Sequence, residues 1–155
     1  MKTLCLYYTR TNTTKAVMEN IAKVLGADIA EYTDGKDRHG FTGYISACFA
    51  TVNNTISKVY IKGDINLKEY ERVLIGMPVW VEGPCAIGKA MIKKYSESLP
   101  SQVYYVVTHE GSNDYNAKIE AMDELLGKSS SGHFSVRTKK NDYIKASTEY
   151  ANTLV

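Results

Sequence analysis

The sequence predicts an α/β domain built on a parallel sheet covered by helices on both faces. Strand-like and helix-like stretches alternate from one end of the chain to the other. The strand-like stretches are near-continuously apolar, as strands buried on both faces must be. Five such strand and helix pairs fill residues 1–155, with no linker, low-complexity tract or longer repeat, so one domain is expected.

The run Thr3–Tyr8 reads as the first, buried strand. From Lys15 the apolar positions Met18, Ile21, Ala22 and Leu25 recur at helical spacing, and Gly26 ends that helix. Asp28–Tyr32 is a short second strand, followed by a polar turn from Thr33 to Gly40. Ile45, Phe49, Val52 and Ile56 form the apolar stripe of the second helix. Between Lys58 and Glu71 the segment Val59–Ile61 is either a short edge strand or part of a surface connection. Arg72–Trp80 is the central strand, and Pro84 suits the first residue of a third helix that turns Ile87, Met91 and Tyr95 to the core. Val103–Thr108 is the fourth strand, and a polar loop leads from it to a helix carrying Tyr115, Ile119, Met122 and Leu126, with Gly127 as its stop. Phe134 and Val136 mark the last strand, His133–Thr138; Tyr143, Ala146, Tyr150 and Leu154 mark the terminal helix.

A chain of 155 residues buries enough surface to fold without disulfides or a structural metal. Its 44% hydrophobic and 23% charged content is that of a globular protein, and no apolar stretch is long enough to span a bilayer. The first strand starts almost at once, which leaves no room for a signal peptide and points to the cytoplasm. Cys5, Cys48 and Cys85 are odd in number and unrelated in spacing, so buried free thiols are expected rather than a disulfide framework or a zinc site. The triplets Asn12-Thr13-Thr14 and Asn53-Asn54-Thr55 match a glycosylation acceptor but have no consequence without secretion. A net charge of +2 with scattered lysines argues against a nucleic-acid surface. The twelve tyrosines suit positions that need a large residue with a wet edge and carry no chemistry as a group.

Open parallel sheets bind ligands beyond the carboxyl ends of their strands. That rule selects three loops: Thr9 to Thr14, Pro78 to Gly83, and Thr108 to Tyr115. The first, Thr9-Arg10-Thr11-Asn12-Thr13-Thr14, places four hydroxyls and a carboxamide where a strand turns into a helix. Free backbone N–H groups and the positive end of the helix dipole meet there, a field suited to a phosphate. Helix capping alone would use one hydroxyl. Neither the nucleoside-triphosphate loop nor the dinucleotide glycine fingerprint is present.

On these residues the chain resembles a flavodoxin. Thr9, Thr11 and Thr14 fall on the hydroxyl positions of that family's phosphate loop, with Asn12-Thr13 in place of its Gly-Asn pair. Asn tolerates a left-handed backbone better than most residues, so the loop can still close. Pro78-Val79-Trp80 resembles the stretch beside the flavin ring, Glu110-Gly111-Ser112 the third flavin loop, and Arg38–Tyr44 the start of the second helix in a subset of such proteins. The resemblance implies a three-layer sandwich with strand order 2-1-3-4-5 and FMN as cofactor. It also implies redox protein partners, a reductase and an acceptor, although the sequence pI near 8.3 departs from the acidic character of electron-carrying flavodoxins.

In this reading Trp80 offers a flat face to the ring. Val81-Glu82-Gly83 presents a backbone carbonyl to it, with Gly83 easing a peptide rotation. Glu82, Glu110 and Asp114 surround the ring and disfavour its reduced anion, and Tyr115 either covers part of the ring or begins the apolar face of its helix. His109 is a candidate proton donor. Cys85, at a helix start, is read as structural. Three functions remain: an FMN electron carrier, an FMN-dependent oxidoreductase acting on a quinone or protoporphyrinogen, and a flavin-free phosphate-ligand module. A monomer or weak dimer is expected.

Overall fold

The computed structural model describes residues 1–53, 58–139 and 142–155, with the side chains of 50–53 left out. The predicted stripe residue Ile56, the side chain of Val52 and most of the acceptor triplet at Asn53 therefore lie outside the description. The elements run β1 (Thr3–Tyr7), α1 (Thr13–Leu25), β2 (Asp28–Thr33), α2 (Gly40–Asn53), β3 (Tyr60–Ile61), β4 (Arg72–Trp80) and β5 (Gly83–Pro84). They continue with α3 (Ala86–Tyr95), β6 (Gln102–His109), α4 (Asn116–Glu120), α5 (Asp123–Leu126), β7 (Gly132–Arg137) and α6 (Tyr143–Asn152).

The long strands are parallel and lie in the order β2-β1-β4-β6-β7. This is the 2-1-3-4-5 order expected from the sequence. Two short antiparallel additions complete the sheet: β3 pairs with β2, which settles Tyr60–Ile61 as an edge strand, and β5 folds back on the end of β4. Alternation along each strand separates two cores. Leu4, Leu6, Val73, Ile75 and Met77 face Ala47 of α2, Ile87 and Met91 of α3, and Ile119 of α4. Cys5, Tyr7, Leu74 and Val106 face Val17, Met18 and Ile21 of α1 and Ala151 of α6.

Three expectations need correction. Pro84 does not start α3: it pairs with Val79 in the hairpin, and Cys85 caps the helix by accepting a 3.4 Å hydrogen bond from the Gly88 N–H. The helix expected after Tyr115 is two short pieces, α4 and α5, although Tyr115, Ile119, Met122 and Leu126 are all buried as its periodicity requires. Asp123, at the break, accepts hydrogen bonds from the Tyr105 hydroxyl and the Ser130 N–H, both at 3.0 Å. The stripe of α2 faces outward, with Ile45 40% and Phe49 64% exposed. The buried positions of the helix are instead its small residues Gly43 and Ala47, with Gly43 pressed on the turn that leads into it. A Cβ on Gly43 would come within 2.1 Å of the Arg38 carbonyl, and Ala47 is buried.

The junction beneath the predicted site is Gly76 on β4. Its carbonyl accepts hydrogen bonds from the Tyr8 N–H at 3.0 Å and the Tyr32 hydroxyl at 2.9 Å. A Cβ there would lie 2.5 Å from Met18 Cγ and 2.6 Å from its sulfur. Gly76→Ala should therefore cost about 1 to 3 kcal/mol through overpacking, read as a lower urea midpoint with an unchanged slope. Unaltered stability would show that α1 does not pack this tightly.

Candidate functional site

The carboxyl ends of β1, β4 and β6 converge on a cavity of about 320 Å³. It is lined from the first loop by Arg10, Thr11, Thr13 and Thr14, from the second by Pro78, Val79, Trp80 and Val81, and from the third by Thr108, His109, Glu110, Gly111 and Tyr115. The remaining walls are Tyr44 and Cys48 of α2 and Thr138 beyond β7.

The first loop reaches α1 through Asn12, whose φ of 64° is left-handed and whose side chain makes no cap bond. Asn is one of the few residues that accept this conformation. The threonine hydroxyls are therefore not occupied in capping the helix. Thr14 Oγ1 instead meets Thr108 Oγ1 at 2.8 Å, tying the start of α1 to the end of β6. No acidic residue stands in the first turn of α1, so nothing offsets the positive end of its dipole. Two buried polar atoms among the predicted residues have no hydrogen-bond partner: Thr9 Oγ1 and Trp80 Nε1. A buried donor left unpaired is costly, and a bound ligand is a natural source of the missing acceptor.

The second loop is the two-residue turn Val81-Glu82 between Trp80 and Gly83. Val81 has φ 61°, whereas Glu82 and Gly83 are outside the left-handed region. The signs match a type II′ hairpin turn with valine where glycine is favoured. A β-branched residue in this conformation marks strain, and such strain gathers at functional sites. Gly83 itself is held in strand pairing opposite Trp80. Trp80 lines the cavity but is only 6% exposed, with the Tyr8 ring edge-on at 5.6 Å and the Arg38 guanidinium 5.6 Å over its face. At 6% exposure it offers little ring surface to the cavity. Arg38 is held there by a bidentate pair of 2.6 Å bonds to Asp34.

The third loop is fastened by the end of β7. Thr138 donates its N–H to the His109 carbonyl at 2.8 Å, Arg137 donates to the Glu110 carbonyl at 3.1 Å, and Lys139 pairs with the Glu110 carboxylate at 2.8 Å. His109 packs edge-on against Tyr115, and its Nδ1 lies 2.9 Å from the Gly111 carbonyl. A carbonyl only accepts, so Nδ1 carries the proton and Nε2 is the nitrogen left for exchange. A Cβ on Gly111 would lie 2.8 Å from the Tyr115 hydroxyl, so a side chain there would displace the Tyr115 ring tip.

Twelve of the seventeen predicted site residues line this cavity. Thr9 lines a polar neighbour instead, together with Arg10, Lys36 and Arg38. Asn12 and Ser112 are exposed and outside the lining, and Glu82 and Gly83 line a separate groove with Lys118. The expected ring of carboxylates is not formed. Glu82 pairs with Lys118 at 3.3 Å, Asp114 accepts from the Asn116 N–H at 2.9 Å, and Glu110 is offset by Lys139. Tyr44 and Cys48 were missed. Their signal was the Arg38–Tyr44 run, which brings Tyr44 under the Arg10 guanidinium, 5.6 Å from the ring centre. The Cys48 thiol beside it raises the Tyr44 pKa above its ordinary value.

No protein-family model and no curated protein matches the chain. Solved structures do. A Lactobacillus acidophilus flavoprotein determined in complex with FMN is 21% identical over 86% of this chain and 92% of its own, with a TM-score of 0.71. A provisionally assigned flavoprotein of Bacteroides eggerthii is 19% identical over 98% of this chain and 96% of its own, with a TM-score of 0.75. The two-electron reduced flavodoxin of Megasphaera elsdenii is 13% identical over 98% and 99%, with a TM-score of 0.60. At these identities the likeness establishes the fold, which is flavodoxin-like.

Two outcomes are expected. Burial pushes the thiols of Cys5 and Cys85 up to about 12 and leaves both fully covered, whereas Cys48 is half-buried at the cavity wall. A thiol reagent at mildly alkaline pH should therefore modify Cys48 alone in the native protein, by peptide mapping; labelling of Cys85 would contradict this packing. Val81→Gly should stabilise by up to about 1 kcal/mol in urea unfolding, because relief of the left-handed strain exceeds the added chain entropy. A loss of stability would show that Val81 is not strained.

Proposed function

We propose that the chain is a single-domain FMN-binding protein that carries electrons between redox partners in the cytoplasm. The observation that carries this reading is the first loop. Its threonine hydroxyls are not occupied in capping, Thr11, Thr13 and Thr14 line the cavity, and α1 directs an uncompensated positive end at it. That donor set fits a phosphate dianion held by neutral groups. The solved flavoproteins of the same fold, one of them with FMN, favour the same cofactor.

In this account Thr11, Thr13 and Thr14, which line the cavity, hold the phosphate, with the free N–H groups that follow Asn12. Pro78, Val79 and Val81 flank the ring on one side, and His109, Glu110, Gly111 and Tyr115 on the other. Trp80 lines the cavity, and its buried Nε1 is a donor without a partner in the protein. Tyr44, 51% exposed on the cavity wall, takes the stacking role expected of Trp80. The flavin, when bound, supplies one- and two-electron chemistry, and the protein supplies position and field. With Glu110 offset by Lys139, the carboxylates add little net negative charge at the ring.

A second reading, an FMN-dependent quinone reductase, is favoured by His109, whose free Nε2 stands at the cavity and suits proton delivery to a stacked substrate. Stopped-flow reduction separates the two. A carrier reacts slowly with NAD(P)H until a reductase is added, whereas an oxidoreductase consumes it alone and loses rate in His109→Gln.

Binding measurements test the cofactor. Thr11→Val and Thr13→Val should each weaken FMN about tenfold or more, as expected for a lost hydrogen bond to a charged group, with little effect on riboflavin. Tyr44→Ala should weaken both ligands alike, by up to about tenfold. Equal losses for FMN and riboflavin in the threonine variants would contradict the phosphate assignment.

A further inference from the structure

The outward face of α2 is the least expected surface of the molecule. Phe41 is 77% exposed, Ile45 40% and Phe49 64%, and they recur at four-residue spacing along one side of the helix. Tyr44, at 51%, extends the patch toward the cavity mouth, where Val81 is 51% exposed. Fourteen residues of α2 contain no charged side chain at all. A solvent-facing helix ordinarily carries its charges on this side. Scattered single apolar residues on a surface need no explanation, but a contiguous stripe of this kind marks an interaction site.

We propose that this face is the contact between two copies of the chain, paired about a two-fold axis through their α2 helices. Symmetry is the first argument. In a two-fold contact a patch must fit itself, so a charged stripe would meet its own charge, and an uncharged one meets no repulsion. Charge also argues against an acidic or basic protein partner, which would find no opposite charge on α2 to pair with. Area is the third argument. With aromatic side chains at about 200 Å² each, the exposed parts of Phe41, Ile45 and Phe49 supply roughly 350 Å² toward the ~800 Å² per partner of a standard interface, the apolar centre of a contact rather than its whole. Phe41 and Phe49 are suitable anchors, since buried aromatics dominate interface energetics.

The pairing also bears on the cavity. Tyr44 and Cys48 stand on the cavity side of the same helix, so the second copy borders the mouth of the site without entering it. This inference does not depend on the cofactor, because the stripe is exposed whatever the cavity holds.

Sedimentation velocity of the full-length protein, from low to high micromolar concentration, tests the proposal. The wild type should reach twice the 17.3 kDa chain mass, and Phe49→Glu should return it to the single-chain mass with an unchanged far-UV spectrum. Ile45→Cys in a Cys48→Ser background should oxidise to a disulfide-linked dimer, since a residue on the axis meets its own copy. This second variant decides the matter if Phe49→Glu fails to fold. A wild type that stays at the single-chain mass throughout would overturn the proposal. So would a dimer unaffected by Phe49→Glu, or the absence of cross-linking at position 45 in a protein that does dimerise.

Discussion

The approach of α1 to the sheet at Gly76 is the constraint on which the site depends. With no side chain at that position, Met18 settles directly on β4, and the Gly76 carbonyl draws in the Tyr8 N–H and the Tyr32 hydroxyl. Three strands and one helix are thereby locked just below the carboxyl edge of the sheet. The start of α1 is left beside the ends of β4 and β6, where Thr14 reaches Thr108. A helix held a few ångströms higher would turn its first amides to open solvent instead of into the cavity.

Above this junction the backbone is bent where ligands would have to come close. Asn12 and Val81 are the two non-glycine residues with positive φ among the described residues, and they stand on opposite loops of one cavity. Asn12 tolerates the conformation, and Val81 does not. The third loop is shaped differently, by hydrogen bonds from Arg137 and Thr138 and by the Lys139 pair, so β7 positions a loop that it does not contribute to. Mechanical support and chemical contact thus come from different strands.

Much of this was legible in the sequence because it is periodic or local. Apolar runs located the long strands, helical spacing located α1, α3 and α6, and the strand-end rule selected the three loops that line the cavity. What escaped was tertiary. The two residues of β5 carry no strand signal, so Pro84 read as a helix start. The stripe of α2 has the period of a core helix but faces outward, and the positions it buries are Gly43 and Ala47. Glu82 and Glu110 looked like free carboxylates because Lys118 and Lys139 are distant in sequence. Trp80 looked like a platform because nothing near it in sequence shows that Arg38 covers its face.

The central claim is that the loop from Thr9 to Thr14 grips a phosphate dianion away from water. Phosphorus NMR of the FMN complex across neutral and mildly acidic pH tests it most directly, because a free phosphate monoester takes up its second proton near pH 6, at about the pKa of a phosphorylated side chain. The account predicts a bound resonance displaced from that of free FMN and unmoved as the pH falls through this value. A bound resonance that titrates like the free ligand would place the phosphate in solvent and contradict the account.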